Sequence, residues 1–263
     1  MSADHLLIGL IGLLGLLIGS FLNVVIYRVP RAESIVHPGS HCPTCANPLK
    51  GRHNVPVLSW IALRGRCAYC AARISARYPL VEIGTATLFV AVTVRFGLSA
   101  ALPAYLYLAA IGITLAMIDF DVHRLPDTLV LPSYVVAVLL LMPAGAVTGD
   151  GQTALRALAG MVAVAAIYFA LVVAYPYALG AGDVKLAGLL GLYLGWMSWS
   201  AVIIGAVGGL AILAVGGAFR SLAGARRHGL LALAPAMVCA TILTLFVAVP
   251  ITSWYTAVLT GAA

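Results

Sequence analysis

The chain has 263 residues, 63% of them hydrophobic and 9% charged, with a mean hydropathy of +1.07. That is too little charge to cover a water-soluble domain, and the continuous apolar runs exclude a transmembrane barrel of alternating, roughly ten-residue strands. The 15 Lys+Arg against 8 Asp+Glu give +7, yet no soluble core carries that charge as a nucleic-acid-binding face; a polytopic helical membrane protein with no nucleic-acid partner remains.

The stretch from Leu6 to Tyr27 is uncharged and reaches the about 20 apolar residues needed to cross a hydrocarbon core of roughly 30 Å. Met1 to His5 holds no Lys or Arg, and Gly19-Ser20-Phe21-Leu22-Asn23 lacks a small-x-small cleavage pattern, so 1–27 reads as a retained first helix. Gly12, Gly15 and Gly19 suit close helix packing within it. Composition then changes: Arg28 to Tyr78 holds eight of the 15 basic residues, four of the five cysteines and five of the 13 prolines. This is a small water-facing insert, 28–78. Apolar runs follow at 79–94, where Glu82 is the one charge, and, without charges, at 99–118, 128–149, 157–179, 186–219 and 229–259. The run 186–219 is too long for one span and divides near Gly195-Trp196-Met197-Ser198-Trp199, where an aromatic pair suits an interface.

The reading is an all-α membrane protein of about eight transmembrane helices, with 79–263 as the membrane domain. If the amino terminus lies outside, the inside segments 28–78, 119–127, 180–185 and 220–228 collect 13 of the 15 basic residues, Arg226 and Arg227 among them. Only Arg95 and Arg156 stay outside, a distribution that obeys the positive-inside rule.

Cys42-Pro-Thr-Cys45 and Cys67-Ala-Tyr-Cys70 are two C-x2-C knuckles separated by 21 residues, a spacing that lets two loops present four thiolates to one tetrahedral Zn²⁺. A cytoplasmic insert argues against two structural disulfides, although a redox pair or an iron–sulfur cluster would use the same residues. Four protein ligands leave no open position, so the zinc reads as structural and supplies folding energy to an insert with little core of its own. His37, His41 and His53 lie near enough to replace or flank a ligand. Cys239 reads as a small packed hydrophobe.

Most of the acids have a structural role in prospect. Asp4 and Asp150 fall at outside edges, Glu33 lies in the insert, Glu82 begins a helix where the dipole favours an anion, and Asp127 suits an N-cap. Asp119 ends an apolar run, and Asp183 follows Gly180-Ala181-Gly182 between two more, both at the inner boundary. An acid at that depth costs free energy unless paired or used. Two such acids can share a proton, one activating water and the other polarising a carbonyl; the alternative is that each caps a helix. Asp121, about 200° round the helix from Asp119, competes with it, and spacing does not choose. Gly180 and Gly182 permit close backbone approach. Lys185 either steadies the acids or anchors the loop at the headgroups.

Gly180-Ala181-Gly182-Asp183 followed by Val184-Lys185-Leu186 resembles the GxGD motif of bacterial prepilin peptidases, the type IV leader peptidases. Ile118-Asp119, Leu125-Pro126-Asp127 and Leu131-Pro132 resemble their other acidic motif, and the resemblance selects Asp119 with Asp183 as catalytic residues. Gly19-Ser20-Phe21-Leu22-Asn23 with Arg28-Val29-Pro30, the cysteine pairs, Asn54-Val55-Pro56, Ser59-Trp60 and Arg77-Tyr78-Pro79 resemble the amino-terminal part of the same family. The implied activity is cleavage of the leaders of type IV prepilins and type II secretion pseudopilins after a glycine, at the cytoplasmic face of the inner membrane. Members with this amino-terminal domain are similar in a second activity, methylation of the new amino terminus from S-adenosylmethionine. Tyr177 and Ala232-Leu233-Ala234-Pro235 depart from the usual pattern. The net positive charge reads as topology and lipid contact rather than attraction for a basic leader. A transporter using the two acids for protons or a cation, capped by the zinc insert, is the alternative reading, and no internal repeat supports it.

Overall fold

The apolar runs fold as helices in the computed structural model, which describes residues 3–149, 151–175, 179–222 and 232–260. In chain order they are α1 (Ala3–Arg28), a short α2 (Leu58–Ala62), α3 (Arg77–Phe96), α4 (Leu102–Val122), α5 (Asp127–Thr148), α6 (Gly151–Ala174), α7 (Ala181–Met197), α8 (Trp199–Leu222) and α9 (Ala234–Thr260). Among the described residues there is no strand, only isolated bridges at His41–Pro48 and Arg66–Arg73. Among the described residues, seven helices are long and apolar enough to cross a membrane. The eighth long helix, α7, has 17 residues, about 26 Å at 1.5 Å per residue and so at the lower limit of a span.

α7 stops where the aromatic pair suggested. Ser198 is extended, at φ −172° and ψ 164°. Its hydroxyl accepts the Ala201 N–H at 3.0 Å, which starts α8 as an N-cap would. The carbonyls left over at the end of α7 go to Arg156. Its Nε donates to Gly195 O at 2.7 Å, and its Nη2 to Trp196 O at 2.9 Å and Met197 O at 3.2 Å. This use of Arg156 also explains why α6 begins six residues before the apolar run at 157: its polar first turn, Gly151 to Arg156, is helical and carries the capping side chain.

Two compact units divide within α4, Met1–Thr114 and Leu115–Ala263. That division follows packing, whereas a division into 1–27, 28–78 and 79–263 follows water exposure. In the first unit α1 lies against α3 at the expected glycines. A Cβ on Gly15 would sit 2.6 Å from Ala86 Cα, and one on Gly19 2.7 Å from Glu82 Cα. The insert is tied down from α3. Glu82 Oε2 accepts the amide of Val57 at 2.7 Å, holding a β-branched residue at φ 60°. Glu82 is therefore structural, but it acts through this long-range bond rather than through its own helix's dipole. Trp60 donates from Nε1 to Ile74 O at 3.1 Å and lies over Gly65.

In the second unit α6 and α7 pack antiparallel with almost no side chain between them. A Cβ on Gly160 would meet Gly191 O at 2.7 Å, the close-approach geometry that small residues allow in a membrane. Tyr134 of α5 donates to Lys185 O at 2.5 Å, so α7 is held on two sides.

Candidate active site and metal centre

Asp119 lies in the last turn of α4 and is 5% exposed. Its Oδ2 accepts the N–H of Ala234 at 2.9 Å, at the first residue of α9, with the Leu233 amide also reaching the carboxyl. Helix amino termini present unpaired N–H groups and partial positive charge, so this end suits a carboxyl group. The segment Ala232-Leu233-Ala234-Pro235, noted in the sequence only as a departure from pattern, thus supplies the donor to one acid. Only the chain path could reveal that. Asp121 is exposed, so burial separates the two acids that spacing could not.

Asp183 sits at the third position of α7. Its Oδ2 accepts the Gly180 N–H at 2.9 Å while its own N–H donates to Gly180 O at 3.0 Å, a capping box. The capping alternative therefore describes part of what Asp183 does. It also leaves the carboxyl within electrostatic reach of Asp119 and of the buried Tyr168 phenol. Gly182 packs tightly, with a Cβ there 3.1 Å from Leu125 Cβ.

Lys185 pairs with Asp127 between the first turns of α7 and α5. Its Nζ donates to both oxygens of Asp127, at 2.7 and 2.8 Å. Asp127, expected to cap α5, is instead its first residue; Pro126 is the N-cap and no side chain caps it. The ammonium across the gap is a stronger partner than the helix's own amides. The connection between α4 and α5 thus carries Asp119 on one side and clasps the first turns of α7 on the other. Tyr177, Asp150, Arg226 and Arg227 lie outside the described residues.

In the insert the four sulfurs of Cys42, Cys45, Cys67 and Cys70 all lie within 4.8 Å of one another, with Cys42 Sγ and Cys70 Sγ 3.9 Å apart. A tetrahedron with Zn–S of about 2.3 Å has edges of about 3.8 Å. Both knuckles have the same backbone: Ala46 N–H bonds Cys42 O at 2.9 Å and Ala71 N–H bonds Cys67 O at 3.0 Å. Ala46 and Ala71 take left-handed φ values of 56° and 57° to close these turns. The Cys45 amide, helped by Thr44, Cys67 and Cys45 against desolvation, holds the Cys42 thiol down to about 6. The Ala72 amide favours the Cys70 thiolate, but desolvation and the thiols of Cys45, Cys67 and Cys42 outweigh it and push Cys70 up to about 11. Clustered thiols cannot all ionise without a cation among them, and the donor set fits a divalent metal. His53 rests edge-on against the Tyr69 ring, with centroids 5.6 Å apart.

Fold and site together define a multi-pass helical membrane protein with two neighbouring acids, Asp119 and Asp183, and a four-thiol insert. A family model described as the bacterial peptidase A24 N-terminal domain matches residues 13–96, and one described as the type IV leader peptidase family matches 106–262. The chain belongs to the type IV leader peptidase family, which is a family of proteases. Relatives named prepilin leader peptidase/N-methyltransferase include one from Myxococcus xanthus (strain DK1622), 41% identical over 206 residues covering 76% of this chain and 61% of the relative. Another, from Aeromonas hydrophila, is 37% identical over 220 residues, 74% of this chain and 76% of the relative. The Neisseria gonorrhoeae relative is 36% identical over 213 residues, 71% and 73% of the two chains. The match therefore spans less than two thirds of the Myxococcus protein's own length. No solved structure matches the chain. The protein is a multi-pass protein of the inner membrane, and the transporter reading finds no support among these relatives.

Proposed function

We propose that this enzyme cleaves the leaders of type IV prepilins and type II secretion pseudopilins with Asp119 and Asp183, and then methylates the exposed amino terminus. The observation that carries the peptidase reading is the pair of carboxyls within electrostatic reach of each other at the ends of α4 and α7, each oriented by a backbone amide on Oδ2. Oδ1 of each is assigned to the reacting atoms. One carboxylate takes a proton from water as the water oxygen attacks the carbonyl after the leader's glycine; the other acid gives its proton to the carbonyl oxygen. Collapse of the resulting gem-diol breaks the C–N bond: the proton taken from water goes to the departing amine, and one gem-diol hydroxyl returns its proton to the other carboxylate, leaving the leader's carboxylic acid and restoring the pair. A substrate that is itself a membrane-anchored helix meets this boundary site without leaving the bilayer.

The amino terminus lies outside and the insert in the cytoplasm, so leader and insert share the inner face. There Cys42, Cys45, Cys67 and Cys70 would hold Zn²⁺, which would supply a structural cross-link for residues 28–78. S-adenosylmethionine supplies the methyl group when bound. Gly182 lets the first turn of α7 pack closely on Leu125, the Gly180 N–H orients Asp183, and Lys185 fixes the helix through Asp127.

The test is reconstitution of the purified protein in detergent with a prepilin and S-adenosylmethionine, followed by mass spectrometry of the product. Wild type should release the leader and add one methyl group. Asp119→Asn and Asp183→Asn should each lower cleavage by roughly a thousandfold or more, the scale of losing one member of a cooperating catalytic unit. Leader removal at the wild-type rate in either variant would defeat the assignment. Cleavage without a methyl group would leave a peptidase whose insert serves only for docking.

A further inference from the structure

Two stretches picked out in the sequence, Gly19 to Arg28 and Asn54 to Pro56, take no part in the paired-acid site. They meet at a cavity of about 340 Å³ in the first unit, lined among others by Ser20, Phe21, Arg28, Gly39, Ser40 and Asn54. Its size falls at the lower end of the roughly 300–1,000 Å³ typical of small-molecule sites.

Arg28 gives the cavity its chemistry. The side chain is 7% exposed, and its guanidinium donates to two backbone carbonyls, Ser34 O at 2.9 Å and Gly39 O at 3.2 Å. Among the described residues no carboxylate pairs with it. A guanidinium has five N–H donors, and a buried cation without a counter-charge is costly unless something else neutralises it. The two carbonyls orient the fork; they do not cancel its charge. The group that does both is a carboxylate or phosphate oxygen pair, the partner a planar fork recognises best. Phe21 adds an aromatic ring that is 49% exposed, and Ser20, Ser40 and Asn54 add hydroxyl and amide groups. A buried cation, an open ring and neutral hydrogen-bonding groups around one small volume suit a ligand with a carboxylate, a hydroxylated middle and a flat base.

We infer that this cavity binds the methyl donor, with Arg28 on its amino-acid carboxylate and Phe21 against its base. This assignment rests on the methyltransferase reading and gives it a place in the chain, in the unit that also carries the four thiols rather than beside Asp119 and Asp183.

The test is titration calorimetry of full-length protein in detergent with S-adenosylhomocysteine, which has the same carboxylate and base but no methyl to transfer. Phe21→Ala should weaken binding by about 5- to 100-fold, the range for one base–aromatic stack. Arg28→Lys keeps a cation but loses the fork, and should weaken it by about tenfold. The decarboxylated derivative should bind wild type and Arg28→Lys equally, because the group that Arg28 reads is gone. Both variants should cleave prepilin at the wild-type rate, which reports an intact fold. A variant that lost cleavage would be replaced by Gly39→Leu, whose Cβ meets nothing within 4 Å, and binding should fall there too. Unchanged affinity for S-adenosylhomocysteine in these variants, while the wild type methylates pilin, overturns the site and leaves the methyltransferase standing. A wild type that neither binds it nor methylates pilin overturns both. If the variants change binding of phosphatidylglycerol in nanodiscs and not of S-adenosylhomocysteine, the cavity is a lipid headgroup site and the assignment falls.

Discussion

Replacing Arg156 with methionine removes the group that ends α7. Three carbonyls, of Gly195, Trp196 and Met197, accept from this one guanidinium, the shortest at 2.7 Å. Hydrogen bonds within membrane proteins average about 0.6 kcal/mol each and reach about 1.7. Three of them give about 2 kcal/mol, and the half-buried position of Arg156 argues against the upper limit. Arg156→Met should therefore lower the unfolding free energy by about 2 kcal/mol, near a 30-fold shift in the equilibrium. Arg156→Lys, able to serve one or two carbonyls from a point charge, should lose less than the methionine variant. Denaturation of the purified protein by increasing mole fraction of sodium dodecyl sulfate, followed by circular dichroism, measures both. Prepilin cleavage under mild conditions should stay within about twofold of wild type, because Asp183 lies at the far end of α7, about 20 Å away at 1.5 Å per residue. A methionine variant as stable as wild type would show that water or Thr153 satisfies those carbonyls equally well, and the reasoning from the cap would fail.

Other consequences concern the candidate active site and the insert. Asp127→Asn or Lys185→Met should lower kcat for leader cleavage by about tenfold with little change in KM, as expected when a positioning contact is lost; the exchange Asp127→Lys with Lys185→Asp should recover part of it, and no recovery would mean that the ion pair itself is not what matters. Ala234→Pro deletes the N–H that Asp119 accepts, at a helix position where proline is tolerated, and should reduce kcat by about 10- to 100-fold while leaving the α9 helical signal in place. Stripping metal with a strong chelator should unfold residues 28–78 and abolish methylation, and added Zn²⁺ should restore it. Elemental analysis of the purified protein should find about one zinc per chain, and a protein without metal that still methylates would refute the cross-link.

Much of the fold was legible because membrane insertion is decided by local composition. Apolar runs long enough to cross gave the order of the long helices, and Ser198 breaks the long run within the Gly195 to Trp199 stretch chosen from its aromatics. The two cysteine knuckles were legible too, since each is a local turn and four thiols have few other uses. Where reading failed, the partner lay far along the chain. Asp127 looked like a cap because its neighbours suggested nothing else, yet its partner is Lys185, 58 residues on. Glu82 looked dipole-stabilised, yet it holds the amide of Val57, 25 residues earlier.

By itself, then, the sequence determined the succession of long apolar helices, the thiol cluster and the short set of acids worth considering, because hydrophobic length and tight-turn chemistry are properties of contiguous residues. Only the tertiary structure decided how those acids differ. It buried Asp119 under the first amides of α9, left Asp121 exposed, brought Asp183 within electrostatic reach of Asp119, and gave Arg28 a cavity with no carboxylate partner among the described residues. Burial and long-range hydrogen bonding depend on which helices become neighbours, and that information is not carried by any one segment.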